Sequence, residues 1–108
     1  MINYEHYTYK VTWSPEDEEY IGLCHEFPSL SYLDKKQIKA LEGIKRTVLS
    51  VVEDIKENGE TLPIPLSEKS YSGKFQVRVT PEQHRILAMR AIEQGVSLNR
   101  YINFKLTI

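Results

Sequence analysis

The sequence predicts an α+β fold in which a small antiparallel sheet is packed by one long helix and is followed by a carboxyl-terminal strand-helix-helix unit that dimerises. Three observations indicate this fold. Two stretches rich in β-branched and aromatic residues flank a polar, proline-containing turn near the amino terminus. A helical repeat of apolar residues follows, and the last third of the chain opens with a short alternating strand.

The amino-terminal part is predicted to contain three strands. Residues 4–13 and 19–24 are rich in Tyr, Thr, Val and Ile, which favour strands. The stretch 14–18 between them holds a proline and three acidic residues, so we expect a turn there and a hairpin around it. A short third strand is expected at 31–33.

A long amphipathic helix is predicted over residues 35–58. Asp34 would cap its amino terminus, Gln37 would complete a capping box, and Gly59 would end the helix. Apolar residues recur at spacings of three and four and define the face expected to be buried: Ile38, Leu41, Ile44, Val48, Val51, Val52 and Ile55.

The segment after this helix marks the end of the first predicted domain. Leu62–Leu66 contains two prolines, which exclude a helix but are tolerated in an edge strand. The residues that follow are polar and are predicted to form a linker. The predicted organisation is therefore a first domain at 1–66, a linker at 67–73 and a second domain at 74–108.

The net charge of −1 conceals an uneven distribution along the chain. Residues 74–108 hold six Lys and Arg against two Glu, which leaves +4. Residues 1–73 hold eight basic and thirteen acidic residues, which leaves −5. This distribution favours a polyanionic partner for the second domain and a basic partner for the first.

Composition predicts a cytoplasmic protein with no membrane association. A hydrophobic fraction of 41% and a charged fraction of 27% are ordinary for a globular domain. No apolar run approaches the roughly 18 residues of a membrane span, and the first residues lack the features of a secretory signal. The single cysteine, Cys24, excludes an internal disulfide and fits a reducing compartment.

No set of residues predicts catalysis, a metal site or a cofactor. The three histidines are scattered, and Cys24 is expected to be a small buried residue of a strand rather than a nucleophile. The acidic run at 17–19 fits a charged hairpin tip better than catalytic carboxylates. Trp13 and Phe27 are expected to help fill a thin core rather than to stack on RNA bases, because the surrounding residues are acidic. We therefore expect that the protein is not an enzyme.

The second domain begins with a strictly alternating strand, Lys74–Val79. Thr80, Pro81 and Gln83 then have the spacing of a capping box with proline at the first helical position. A helix with a broad apolar face follows and ends at Gly95, and Ser97 would cap a second helix.

One six-residue strand cannot be stable with both edges unpaired, so we expect it to pair with its copy in a second chain. The result is a ribbon-helix-helix homodimer, or a tetramer built from it. The ribbon's polar face would enter the DNA major groove, with Lys74, Gln76 and Arg78 contacting bases. The amino terminus of the second helix would contact phosphate through Ser97, Leu98 and Asn99. Alternation alone also fits the wet face of an ordinary edge strand, but the order of strand, cap, helix, turn and helix favours the ribbon.

Three stretches carry a resemblance to a known family. Gly73–Glu82 with Gly95–Asn103 resembles the ribbon-helix-helix tail of HicB-type antitoxins. Tyr9–Ser14 with Glu19–Ser31, and Asn58–Glu60 followed by Pro63–Leu66, are similar to other parts of that family. The ordered set of segments, rather than any one motif, carries the resemblance.

The resemblance implies a function for each domain. The first would be a partial double-stranded-RNA-binding-like fold that binds a small basic HicA-like toxin, an mRNA-cleaving ribonuclease. The second would bind operator DNA and repress the shared operon. An alternative keeps the DNA-binding tail but makes the protein an orphan regulator whose first domain senses a ligand or another protein.

Overall fold

The computed structural model describes residues 2–107, which divide into two compact units with a boundary between Tyr71 and Ser72. The α+β class is confirmed, with a three-stranded antiparallel sheet and three α-helices in the described residues. In chain order the elements are a short 3₁₀ turn at Tyr4–His6, β1 at Tyr9–Ser14, β2 at Glu19–Cys24, β3 at Ser31–Asp34, α1 at Gln37–Glu57, α2 at Pro81–Glu93 and α3 at Leu98–Lys105. None of the helices described combines the length and apolar character needed to cross a membrane.

The sheet of the first unit has the order β1-β2-β3 with both neighbouring pairs antiparallel. The β1–β2 hairpin turns at the predicted polar stretch, where Glu18 has a positive φ of 52°. Gly22 of the central strand lies between Val11 on one side and Tyr32 on the other. Residues paired directly across neighbouring strands project from the same side of a sheet, so these three positions share one face.

Helix α1 packs directly on this face because two glycines leave room for it. A β-carbon on Gly22 would lie 2.5 Å from the carbonyl oxygen of Ala40, and one on Gly43 would lie 2.1 Å from the Tyr32 ring. The core forms at this contact and includes the following buried side chains: Tyr7, Cys24, Ile44, Val48 and Val52. Cys24 is thus a buried strand residue, as expected.

The ends of α1 differ in part from the prediction. Asp34 belongs to β3 and does not cap the helix; its carboxylate accepts a hydrogen bond from Lys36 N (2.9 Å), and Lys36 is an N-cap without a side-chain bond. The predicted capping box is therefore wrong, because the strand continues through the position that was assigned to the cap. Gly59 does follow the last turn, with a φ of +69°.

Two predicted core residues are exposed. Ile38 lies about 200° around the helix from Ala40, at about 100° per residue, so it faces solvent when Ala40 faces the sheet. Trp13 is 49% exposed because it pairs with Tyr20, beyond the part of β2 that the helix covers. Phe27 does pack against the core, with its ring edge-on to Tyr7 at 5.3 Å.

Residues 4–6 do not belong to the first strand. They form the 3₁₀ turn, in which the Asn3 side chain accepts a hydrogen bond from Glu5 N at 2.9 Å. This local bond offers the backbone an alternative to the sheet, and β1 begins only at Tyr9.

The proline segment, residues 62–68, forms no strand, contrary to the suggested edge strand. Side chains hold it instead. The Tyr7 hydroxyl donates to Pro63 O (2.8 Å), and Leu66 N donates to the Glu26 carboxylate (2.9 Å). Because proline has no N–H group to donate to a neighbouring strand, these side-chain hydrogen bonds hold the segment in place of strand pairing.

Glu26 joins the proline segment to the start of the sheet. Its carboxylate also accepts hydrogen bonds from Thr8 N (2.8 Å) and the Thr8 hydroxyl (3.0 Å). Burial by itself would raise the pKa of Glu26, but the hydrogen bonds from Leu66 N, Thr8 and its own N–H outweigh it and lower the pKa below its usual value. The charged carboxylate is therefore the form that stabilises this unit.

We predict that Gly43→Ala destabilises the protein. Alanine in a helix normally stabilises by about 1 kcal/mol relative to glycine, but here the added carbon would overlap the Tyr32 ring and cost about 1–3 kcal/mol. Urea unfolding followed by circular dichroism measures the difference. Ser50→Ala, at an exposed position of the same helix, is the control and should be neutral or stabilising. A more stable Gly43→Ala protein would show that the helix does not lie this close to the sheet.

We predict that Glu26→Gln lowers the free energy of unfolding at pH 7 by about 1–3 kcal/mol, because one amide nitrogen would face donors that now have a carboxylate acceptor. A carboxyl with a lowered folded-state pKa stabilises above its unfolded pKa, and this stability is lost as the pH falls through the folded value. The gap between wild type and variant should therefore narrow from pH 6 to pH 3 in urea titrations. Glu57→Gln, on an exposed part of α1, should show no such gap. If the difference in unfolding free energy between wild type and Glu26→Gln stayed constant from pH 6 to pH 3, it would contradict the stabilising role of the charged Glu26 carboxylate.

Candidate functional site

Phe75, Val77 and Val79 in the second unit are apolar side chains that the chain itself leaves uncovered. They are 75%, 69% and 46% exposed, although they alternate as the buried face of a strand would. Residues 74–79 form no strand within the chain, and the predicted pairing is with a second chain, so the ribbon remains a prediction.

The three side chains line an open cavity of about 680 Å³ together with residues of both following helices. Leu87 comes from α2, and Leu98 and Ile102 come from α3. The same two helices pack against each other, and each has a buried residue, Ala91 in α2 and Tyr101 in α3. An apolar surface of this kind, open to solvent, is typical of a site for another protein.

The two helices begin as the sequence predicts. Thr80 Oγ1 accepts from Gln83 N (3.1 Å) while the Gln83 side chain accepts from Thr80 N (3.0 Å), which completes the capping box at α2. Ser97 Oγ accepts from Arg100 N (3.0 Å) at α3. Gly95, with a φ of +67°, supplies the turn between the helices. These caps fix where α3 starts relative to the cavity.

The predicted DNA-contacting residues occupy two places in this unit. Lys74, Gln76 and Arg78 lie on the exposed stretch before α2, and Lys74 also lines the cavity while Gln76 and Arg78 do not. Ser97, Leu98 and Asn99 lie at the amino terminus of α3, where the first N–H groups of a helix point outward. Leu98 and Asn99 line the same cavity as Lys74, so the structure brings one member of the base set near two of the phosphate set.

Most cations of this unit are not neutralised by carboxylates. Arg85 donates from Nε to the Glu82 carboxylate (3.1 Å), and this pairing lowers the pKa of Glu82 and raises that of Arg85. It is the one salt bridge of the second unit among the residues described. The remaining basic side chains therefore keep their positive field: Lys74, Arg78, Arg90, Arg100 and Lys105.

Comparison with known proteins gives one match. The model of the HicB family matches residues 57–106. This segment is of the HicB type. The predicted resemblance to the HicB family is thereby confirmed from the last residue of α1, through the proline segment, to residue 106 of the second unit. No curated protein and no solved structure gave a significant match.

The sheet of the first unit precedes the HicB-type segment and carries features that the sequence reasoning missed. Glu26 was not singled out, although a glutamate two residues after a strand and two before a proline can accept hydrogen bonds from otherwise unpaired N–H groups. The exposure of Trp13 was also missed. The available signal in the sequence was the position of Trp13 directly before the charged turn at 14–18.

The first unit has a cavity of about 480 Å³ between the 3₁₀ turn and α1, lined by residues such as Tyr4, Leu49 and Val52. It is smaller than the cavity of the second unit. Within residues 2–107, no group of three or more His, Cys, Asp or Glu side chains is placed to hold a metal ion.

Proposed function

We propose that the chain is the antitoxin of a type II HicA/HicB-like module, which binds and inhibits a small basic mRNA-cleaving toxin and represses its own operon as a DNA-bound dimer. The match of residues 57–106 to the HicB family carries this proposal. In it the chain acts by binding and contributes no catalytic residues.

The dimer follows from the uncovered apolar face of the second unit. Two copies of residues 74–79 would pair as an antiparallel ribbon, and each copy would place Phe75, Val77 and Val79 against the helices of the other. Burial of these side chains would remove a large apolar surface from water, at about 25 cal/mol per Å². An antiparallel pair would also satisfy backbone groups of residues 75–79, which form no strand within the chain.

DNA binding follows from the other face of the same ribbon. In the dimer, Gln76 and Arg78 of both chains would project away from the apolar side, and a two-stranded ribbon fits the major groove. Arg78 suits guanine and Gln76 suits adenine. The amino terminus of α3 at Ser97–Asn99 would fix the register by contacting phosphate.

Toxin binding is assigned to the first unit on charge and on its separate core. Residues 1–73 have a charge of −5, which complements a basic ribonuclease and would speed its capture. The unit has its own sheet, helix and core. A dimer bound to DNA would therefore still present two toxin-binding units.

We predict different defects for two neighbouring substitutions in the ribbon. Val77→Asp should prevent dimerisation and, with it, operator binding, because a carboxylate cannot be buried against the partner's apolar face. Arg78→Ala should leave the dimer intact but weaken binding by about 1–3 kcal/mol and relax the base preference at one position of each half-site. Light scattering and gel shifts on the protein's own promoter measure both effects. Lys69→Ala, an equal change of charge in the first unit, is the control. Unchanged affinity and base preference in Arg78→Ala would sink the ribbon assignment.

We predict that residues 1–71 alone inhibit the toxin but do not bind the operator. The probe is the small basic product of the neighbouring reading frame, with cleavage of an mRNA substrate as the readout. Residues 72–108 serve as the reciprocal control and should not inhibit. If the full chain binds DNA but fails to capture or inhibit this product, the orphan regulator becomes the better explanation.

A further inference from the structure

The hairpin end of the first unit carries an exposed aromatic pair. Trp13 and Tyr20 are cross-strand partners, with ring centroids 5.1 Å apart and planes at 74°. They lie on the same sheet face as Gly22, where α1 packs against the sheet through Ala40 and Ile44. Half of the Trp13 surface is nevertheless open to solvent.

Two aromatic rings of the same unit, Tyr9 and Tyr32, have a cation over them, whereas the Trp13 ring has none in the described part of the chain. Lys45 lies over the Tyr9 ring at 5.6 Å, and Arg46 lies over the Tyr32 ring at 5.8 Å. No cation–π pair among residues 2–107 involves Trp13. An edge-to-face neighbour covers at most one face of a ring, and Trp13 is 49% exposed, so the indole has surface available for a ligand. Tryptophan binds cations more strongly than the other aromatic side chains.

The hairpin turn beside this aromatic pair is acidic, whereas Lys35 and Lys36 follow Asp34, the β3 partner of Tyr20. The hairpin turn next to Trp13 holds Glu16, Asp17 and Glu18, all exposed, and Glu19 begins the second strand. Asp17 accepts a hydrogen bond from the Ser14 hydroxyl (2.9 Å), which orders the turn beside the ring. Within the whole hairpin, residues 9–24, the only basic residue is Lys10. Such a field attracts a cation and repels the phosphates of RNA.

We propose that the Trp13–Tyr20 pair is the anchor point for an arginine side chain of a basic protein partner. The guanidinium would stack on the open face of the indole, and its outer N–H groups would meet the carboxylates of the turn. Arginine fits better than lysine because its planar group can stack and donate in a fork at the same time. Exposed tryptophan, tyrosine and a partner arginine are also the residues that dominate binding energy at interfaces. The inference rests on the proposed function, since the partner meant is the basic toxin.

Trp13 is the one tryptophan of the chain, so its fluorescence reports on the site directly. Titration of the full chain with a hexa-arginine peptide should give a saturable change in emission and protect Trp13 from iodide quenching. Hexa-lysine should bind several-fold more weakly, and hexa-glutamate should have no effect. An equal response to arginine and lysine peptides, or none to either, would overturn the stacking assignment.

Two charge variants separate the site from general electrostatic attraction. Glu16→Gln, Asp17→Asn and Glu18→Gln together raise the net charge by three beside Trp13. Glu53→Gln, Glu57→Gln and Glu60→Gln together raise it by three around the end of α1. The first set should weaken hexa-arginine binding about tenfold, whereas the second should leave it nearly unchanged. If both variants lost the same amount of hexa-arginine affinity, net charge alone would explain the binding, and the proposal would be overturned.

The partner itself gives the second arm of the test. Trp13→Ala and the hairpin charge variant should each weaken capture of the neighbouring basic protein about tenfold without changing operator binding. The charge variant alters no packed side chain, so it guards against a folding defect in Trp13→Ala. If wild type captures the partner and both variants do so equally well, the inference fails and the proposed function stands. If wild type captures nothing while the peptide arm succeeds, the arginine site stands and the proposed function fails.

Discussion

The close contact between α1 and the sheet is the constraint on which the first unit depends. Gly22 and Gly43 have no side chains to separate the two layers, so the backbone of α1 lies against the central strand. This proximity lets a thin unit bury Ile44 and Val48 fully. A side chain at either glycine would push the layers apart and open the core, where packing density leaves little room for adjustment.

The same contact decides which parts of the sheet need other partners. The helix covers the sheet from Gly22 to Cys24 and leaves the hairpin end, with Trp13, uncovered. At the opposite end the proline segment completes the unit, held by the hydroxyl of Tyr7 and the carboxylate of Glu26. One end is thus closed within the chain, and the other presents an aromatic and acidic surface to solvent.

Local patterns predicted the elements well, while contacts between elements could not be read from the sequence. The hairpin, the helix with its Val48 and Val52 stripe, and the Thr80 capping box each depend on residues near one another in the chain. Ile38 and Trp13 were misplaced because their burial depends on where the helix meets the sheet, which is fixed by the distant glycines. For the candidate site, the sequence identified the alternating residues 74–79 and the helix cap at Ser97. It could not identify the cavity, which is shaped by side chains from three separate segments.

The two units differ in how much of their apolar surface the chain itself buries, and this difference fits the proposed function. The first unit has its own buried core, so in the proposed function its binding to a partner would not depend on a dimer. The second leaves Phe75, Val77 and Val79 uncovered, and in the proposed dimer a second copy would cover them. Under the proposed function, the opposite charges would keep the two tasks apart: the basic unit would attract operator phosphates that the acidic unit repels, and a basic toxin would experience the reverse. In the proposed function, toxin and DNA would bind to different units, so neither would compete for the other's surface.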